Sequence, residues 1–276
     1  VLRPGDSAVL HAQVVGNPAR FDEILTAHLP RFLDDLDGLV RFWWVRRHRD
    51  LILPESDQHL AVFLRLGSPE QYGPAAAKVA AFASELEARG LPCQLTLASH
   101  PQHPARYGDG PALAAAERVF ATDTAAAIAQ IATARASGVP TQALAAASMA
   151  HLAAAFAPDP ESGCRALIAC LRQEHGPLDQ TLRDHALGLA EADGRYRAVR
   201  ILPGGDAVAA AWAARDTALT SYHRALAEQR DPGAVLRTLL HEHHVRAVGV
   251  DPTHERETGR LARAAALRRL ARAGAR

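Results

Sequence analysis

Lysine is almost absent from this chain. Lys78 stands alone among 31 basic residues, and the rest are arginine. With the abundant alanine, this is the bias of a GC-rich coding sequence, so arginine number carries no argument and arginine position does. Charge of one sign is also lacking. The net charge of +1 leaves no whole-chain field to gather nucleic acid or an anionic membrane. The three cysteines, Cys93, Cys164 and Cys170, are odd in number and lack CxxC spacing. That excludes a disulfide framework or a cysteine zinc site and reads as small buried apolar residues. No apolar run approaches the roughly 18 residues of a membrane span. The N-terminus does not read as a signal peptide, so a soluble cytoplasmic protein is expected. GxSxG, P-loop and GxGxxG motifs are missing as well, and nothing signs for a nucleotide or other organic cofactor.

What is present is enough apolar material, 48% of 276 residues, for one large domain or two small ones. The first third alternates strand and helix. Strands are expected at Ser7–Val15, Leu39–Arg46, His59–Leu66 and Leu91–Ala98. Helices are expected at Pro18–Leu36, where Phe21, Ile24, Leu25, Leu29 and Leu33 share a face, and at Pro74–Arg89, ended by Gly90. The order βαββαβ predicts an α+β fold that opens with a ferredoxin-like unit, a helix pair on a mostly antiparallel sheet. From Ala112 onward the pattern is helical: Ala112–Ala121, Thr124–Ala136, Thr141–Phe156, Cys164–Glu174, Pro177–Ala192, Ala207–Glu228, Ala234–Val248 and Thr253–Ala273. The expected division is an α+β region over residues 1–110 and a helical region over 111–276, packed together as one domain. The arginines of the last helix lie on several faces without interleaved aromatics, which predicts a solvated helix end rather than a nucleic-acid arm.

Three stretches concentrate chemistry. In His103–Asp123 an Arg106-Tyr107-Gly108 turn leads into a helix on which Leu113, Glu117 and Phe120 fall at i, i+4 and i+7. A carboxylate on an apolar face needs a partner, and Arg106 is the nearest cation in sequence. Such a pair either walls a site or pins the loop. In Ala207–Glu228, residues Trp212, Arg215, Leu219, Tyr222 and Leu226 form one stripe, which turns Arg215 and Tyr222 inward. A buried Tyr hydroxyl needs a partner, so Tyr222 either packs or handles a proton. In Ala234–Gly249, Leu236, Leu239, His243 and Arg246 form another stripe, placing His243 and Arg246 inward. HExxH would need histidine where Val245 stands, and no third ligand joins His241 and His244, so no metal site is expected. Two polar groups on one inward stripe favour a polar pocket over a single satisfied core histidine. Arg46 and His59 stand at strand ends, where solvation is the ordinary fate.

These blocks, in this order, resemble the C-terminal domain of lantibiotic dehydratases and the related stand-alone thiopeptide biosynthesis proteins. The blocks are FWWVR (Phe42–Arg46), HLAVF (His59–Phe63), RYGDG (Arg106–Gly110) with Glu117, FATD (Phe120–Asp123) with Thr124, and LLHEHHVRAVG (Leu239–Gly249) with Glu255. The resemblance covers roughly Ser7 to Glu255. Family members that eliminate glutamate from glutamylated Ser or Thr rely on two arginines of a His-Leu-Arg-Leu-Arg strand. Here those positions are Ala61 and Phe63, and the Glu that usually precedes Arg-Tyr-Gly is His103. The large glutamylation domain is not seen either. The resemblance therefore implies the stand-alone branch: a cofactor-independent pyridine synthase that closes a thiopeptide macrocycle by a formal aza-[4+2] cycloaddition. Its partner would be a leader-bearing, azole-modified precursor peptide, with other enzymes of the pathway as further partners. On that reading Tyr222, His243 and Glu117 are the candidate catalytic groups. Arg46, His59, Arg106, Tyr107, Arg215 and Arg246 are the candidate substrate-binding groups. The alternatives left open are a stand-alone glutamate eliminase and a non-catalytic peptide-binding scaffold.

Overall fold

The computed structural model describes residues 1–53, 58–91, 94–174, 176–191, 196–226 and 229–274. The chain divides into two compact units, Val1–His103 and Pro104–Arg276. Cys93 and the ends of two expected helices, at Ala192 and Glu228, lie outside the described residues.

The first unit runs β1 (Val9–Val15), short helices α1 (Phe21–Glu23) and α2 (Leu29–Asp34), β2 (Val40–His48), β3 (His59–Leu66), α3 (Tyr72–Ala88) and β4 (Gln94–Ala98). Between α1 and α2 the helix widens to a π-turn over Ile24–His28, one residue ahead of Pro30, which has no N–H to donate. The four strands form an antiparallel sheet in the order β2-β3-β1-β4. The expected βαββαβ order is therefore present. One set of alternate strand residues (Leu10, Ala12 and Val14 against Leu64, Val62 and Leu60) is buried, and α3 packs on β1 and β4. Phe32 and Phe82 stack at 4.4 Å and tie α2 to α3. The other set carries rings: His11 stacks on Phe63 at 4.3 Å and Phe63 on Trp44 at 5.1 Å, with His100 edge-on to all three.

The second unit is helical: α4 (Pro104–Tyr107), α5 (Pro111–Ser137), α6 (Thr141–Phe156), α7 (Pro160–Cys170), α8 (Gln180–Leu189), α9 (Arg197–Arg200), α10 (Gly205–Leu226), α11 (Pro232–Ala247) and α12 (Pro252–Ala273). Its centre is α6, buried along almost its whole length and touching α5, α7, α8, α10, α11 and α12. Alanine permits this, because a helix with methyl side chains lets neighbours approach on every side. At Gly163 even a methyl is excluded: a Cβ there would sit 2.2 Å from the carbonyl oxygen of Ala153.

Two expectations are corrected. The sequence suggests a break near Thr122-Asp123-Thr124, yet α5 is one helix of 27 residues. Both threonine hydroxyls donate back to carbonyls within the helix (Thr124 to Phe120 at 2.8 Å, Thr122 to Arg118 at 3.0 Å), and the Asp123 carboxylate is used elsewhere. The end of α12 is exposed over residues 271–274, but its arginines are more than a solvated fringe. Arg260 donates to the carbonyls of Gly176 and Pro177 and Arg263 to that of Ile168, while Arg268 and Arg272 pair with Glu191. They dock the helix onto its neighbours. Among the described residues, no helix is long and apolar enough to cross a membrane.

Candidate functional site

The Arg-Tyr-Gly turn is built by the end of α10 and the residues after it. The Tyr222 hydroxyl donates to the Tyr107 carbonyl at 2.8 Å. Gln229 Oε1 accepts from the Asp109 N–H at 2.9 Å, and the Arg230 guanidinium donates to the carbonyls of Pro104 and Ala105. Gly108 has φ +86°, and a Cβ there would lie 2.8 Å from the Ala112 methyl. Glycine is required by conformation and by space. The turn delivers Tyr107 into the interior, edge-on to Phe120 at 4.8 Å, and leaves Arg106 exposed. The buried Arg106–Glu117 pair expected from the sequence is therefore not formed. Glu117 itself is buried on α5, as its spacing with Leu113 and Phe120 predicts.

One turn beyond Phe120, three helices meet on a residue that the list of candidate groups omits. Asp123 on α5 is 1% exposed. Its Oδ1 accepts from Arg215 Nη1 of α10 at 2.9 Å and lies 2.7 Å from His243 Nδ1 of α11. Its Oδ2 accepts from Arg246 Nη1 at 3.0 Å. Arg215 also donates to Ser148 of α6, to the hydroxyl at 2.8 Å and the carbonyl at 3.2 Å, and Gln130 Nε2 reaches the same hydroxyl at 3.0 Å. Arg246 lies 3.8 Å from buried Glu242 and sits over the Phe120 ring. The inward placement of Arg215, Tyr222, His243 and Arg246 is thus as the two stripes predict. Asp123 and Ser148 are the additions. Asp123 had a signal, since it closes the FATD block. Ser148 had only its position as a hydroxyl inside an alanine run.

The electrostatics follow from burial and from these contacts. Burial alone would raise the Asp123 carboxyl, but His243, Arg246 and Arg215 overturn it and hold the group well below the usual carboxylate range. Burial lowers His243; Asp123 opposes that, and the two arginines add to it. The direction is downward, and the ring is neutral near pH 7. Burial raises the Tyr222 hydroxyl, with Tyr107 adding to it, so this phenol stays protonated. His244, sealed beside His243, is pushed down to about 4 by burial. On the same helix, His241 Nδ1 meets Glu255 Oε1 at 2.6 Å, both partly exposed. Among the described residues no group of three or more His, Cys, Asp or Glu has the arrangement of a metal site.

Arg46 and His59 belong to the first unit and are described within it. Arg46 lies opposite Ala61 and His48 opposite His59, so the two candidates are neighbours on the ring-bearing side of the sheet. His48 and His59 stack at 4.6 Å. Ala61 and Phe63 are buried, and Phe63 is held between His11 and Trp44. Of the cysteines, Cys164 is buried and Cys170 donates to the Gly233 carbonyl; burial raises both thiols.

The fold, an α+β unit followed by a helical unit, has known counterparts. Residues 10–266 match the family described as lantibiotic biosynthesis dehydratase C-term, and the chain belongs to that family. Among solved structures it is similar to the tRNA-dependent lantibiotic dehydratase MibB from Microbispora sp. 107891, with 24% identity and a TM-score of 0.82. That match covers 96% of this chain and 28% of the MibB chain. It is also similar to TbtD, a pyridine synthase from thiomuracin biosynthesis, with 13% identity and a TM-score of 0.59. That match covers 96% of this chain and 99% of TbtD. No curated protein matches the chain.

Proposed function

We propose that this protein is a thiopeptide pyridine synthase. Its substrate would be a ribosomal precursor peptide bearing azoles, a leader and two dehydroalanines remote in sequence. One dehydroalanine and its neighbouring amide, as the imidic tautomer, form a 2-azadiene, and the second dehydroalanine is the dienophile. Two bonds close a hydroxylated tetrahydropyridine. Loss of water, then of the leader peptide as an amide, gives the pyridine. The first unit is read as ferredoxin-like, and the two regions as a single working domain.

The observation that carries this reading is the composition of β3. The family's glutamate eliminases use two arginines on this strand to stabilise the leaving carboxylate and the enolate. Here Ala61 and the stacked ring of Phe63 occupy those positions. The likeness is higher to MibB than to TbtD by both identity and TM-score. Both likenesses speak for the fold, so the choice between reactions rests on the residues of β3.

Holding two remote alkenes together is the larger contribution, and in well-oriented cases it supplies about 7–11 kcal/mol. Proton movement is the second: a shift of the amide tautomer and assistance to both eliminations. We assign proton handling to His243 and Glu117. Exposed Arg106, with Arg46 and His59 on the sheet, would orient peptide carbonyls, and Arg246 would oppose developing negative charge. The Tyr222 hydroxyl is committed to the Tyr107 carbonyl and Arg215 to Asp123 and Ser148, and we assign Tyr107, Arg215 and Tyr222 to positioning. Incubation with a glutamylated precursor tests the choice. The account expects no mass change; release of glutamate would make the protein an eliminase.

A further inference from the structure

We infer that Asp123 is a positioning residue, which fixes the buried His243 imidazole in its Nδ1–H tautomer and leaves the Nε2 lone pair as an acceptor inside the helical unit. The argument is one of donors and acceptors. Asp123 accepts on Oδ1 from Arg215 and on Oδ2 from Arg246. Guanidinium groups only donate, and a carboxylate held between two of them has no proton to give. In the 2.7 Å contact between Asp123 Oδ1 and His243 Nδ1 the proton is therefore on Nδ1. Arg215 Nη1 also lies 3.4 Å from that nitrogen. With the Nδ1 lone pair used by the ring in this tautomer, that approach is a packing contact. Arg215 already spends Nη1 on Asp123 and Ser148.

The other ring nitrogen is where the consequence falls. His243 is 0% exposed, and among the described residues Nε2 has no hydrogen-bond partner. A sealed, unmatched lone pair is costly and calls for a donor. An internal water fits it. An orienting carboxylate behind a histidine sets which nitrogen does the work. Asp123 would do so here, across 120 residues of sequence. The role in catalysis rests on the reading of His243 as a proton-handling group; the tautomer does not.

Nitrogen-15 labelling of the histidine rings of the whole chain tests this without a substrate, with His243→Gln identifying the signal. The expected spectrum at neutral pH has a proton on Nδ1 and none on Nε2. A proton on Nε2, or an imidazolium, overturns the inference. In Asp123→Asn the proton should move to Nε2, and ring closure should slow by about 10²- to 10⁴-fold at unchanged peptide affinity. Asp123→Glu should recover part of the rate. An unchanged tautomer in folded Asp123→Asn would also overturn it. Where Asp123→Asn does not fold, the wild-type spectrum decides. An Nδ1–H tautomer in a protein that closes no ring would leave the positioning geometry standing and remove the pyridine-synthase reading.

Discussion

Asp123 Oδ1 lies 2.7 Å from His243 Nδ1 and 2.9 Å from Arg215 Nη1, so one oxygen joins helices α5, α10 and α11. The second oxygen binds Arg246. The node is buried on all sides, and its members cannot be removed independently.

Asp123→Ala leaves two buried guanidinium groups without their carboxylate. The expected cost is about 3–5 kcal/mol in urea unfolding. A loss below about 1 kcal/mol would mean that Glu242 and Glu117 suffice to balance the arginines.

Acid should destabilise the protein in two stages. Burial pushes His100 and His244 down to about 4, and burial with the Arg269 and Arg215 charges pushes His151 down to about 3. In the unfolded chain these rings bind protons near pH 6.5, so the unfolded state holds more protons below that pH. Stability then falls as pH drops from about 6.5 to about 4, by about 1.4 kcal/mol per pH unit for each ring. Asp123, depressed in the fold, holds its contribution until pH falls below about 4. Urea midpoints across pH 8 to 3 at fixed ionic strength check this. A flat profile between pH 6.5 and 4 contradicts it.

Gly108→Ala forces a side chain into φ +86° and against Ala112. A loss of about 1–3 kcal/mol is expected in thermal or urea unfolding. Gly110→Ala meets a positive φ of +53° but no neighbour within 4 Å, and should cost less.

Tyr222→Phe removes the donor to the Tyr107 carbonyl. Stability should fall by about 1–3 kcal/mol, with faster amide exchange in the 104–110 turn. Because that hydroxyl is assigned to positioning, cyclisation at saturating peptide should stay within severalfold of the parent. A fall of about 10²-fold at unchanged stability would instead make Tyr222 a proton donor or acceptor.

Much of this was legible in the sequence because it is periodic. The stripes through Trp212 and Leu236 place Arg215, Tyr222, His243 and Arg246 inward, and all four are buried. Asp123 escaped because Asp between two threonines imitates a helix break, and its partners lie on helices that only tertiary packing brings to it. Arg106 misled for the opposite reason: nearness to Glu117 in sequence is not nearness on a turn that points its cation outward. The α12 arginines look like a solvated fringe until the loops that they bind are placed in space.

The most direct test of the central claim is to incubate the protein, without added cofactor, with a leader-bearing azole peptide containing two dehydroalanines, and to read the products by mass spectrometry. The account predicts a pyridine-containing macrocycle together with intact leader peptide released as an amide. Tight binding of that peptide with no change in mass would contradict it.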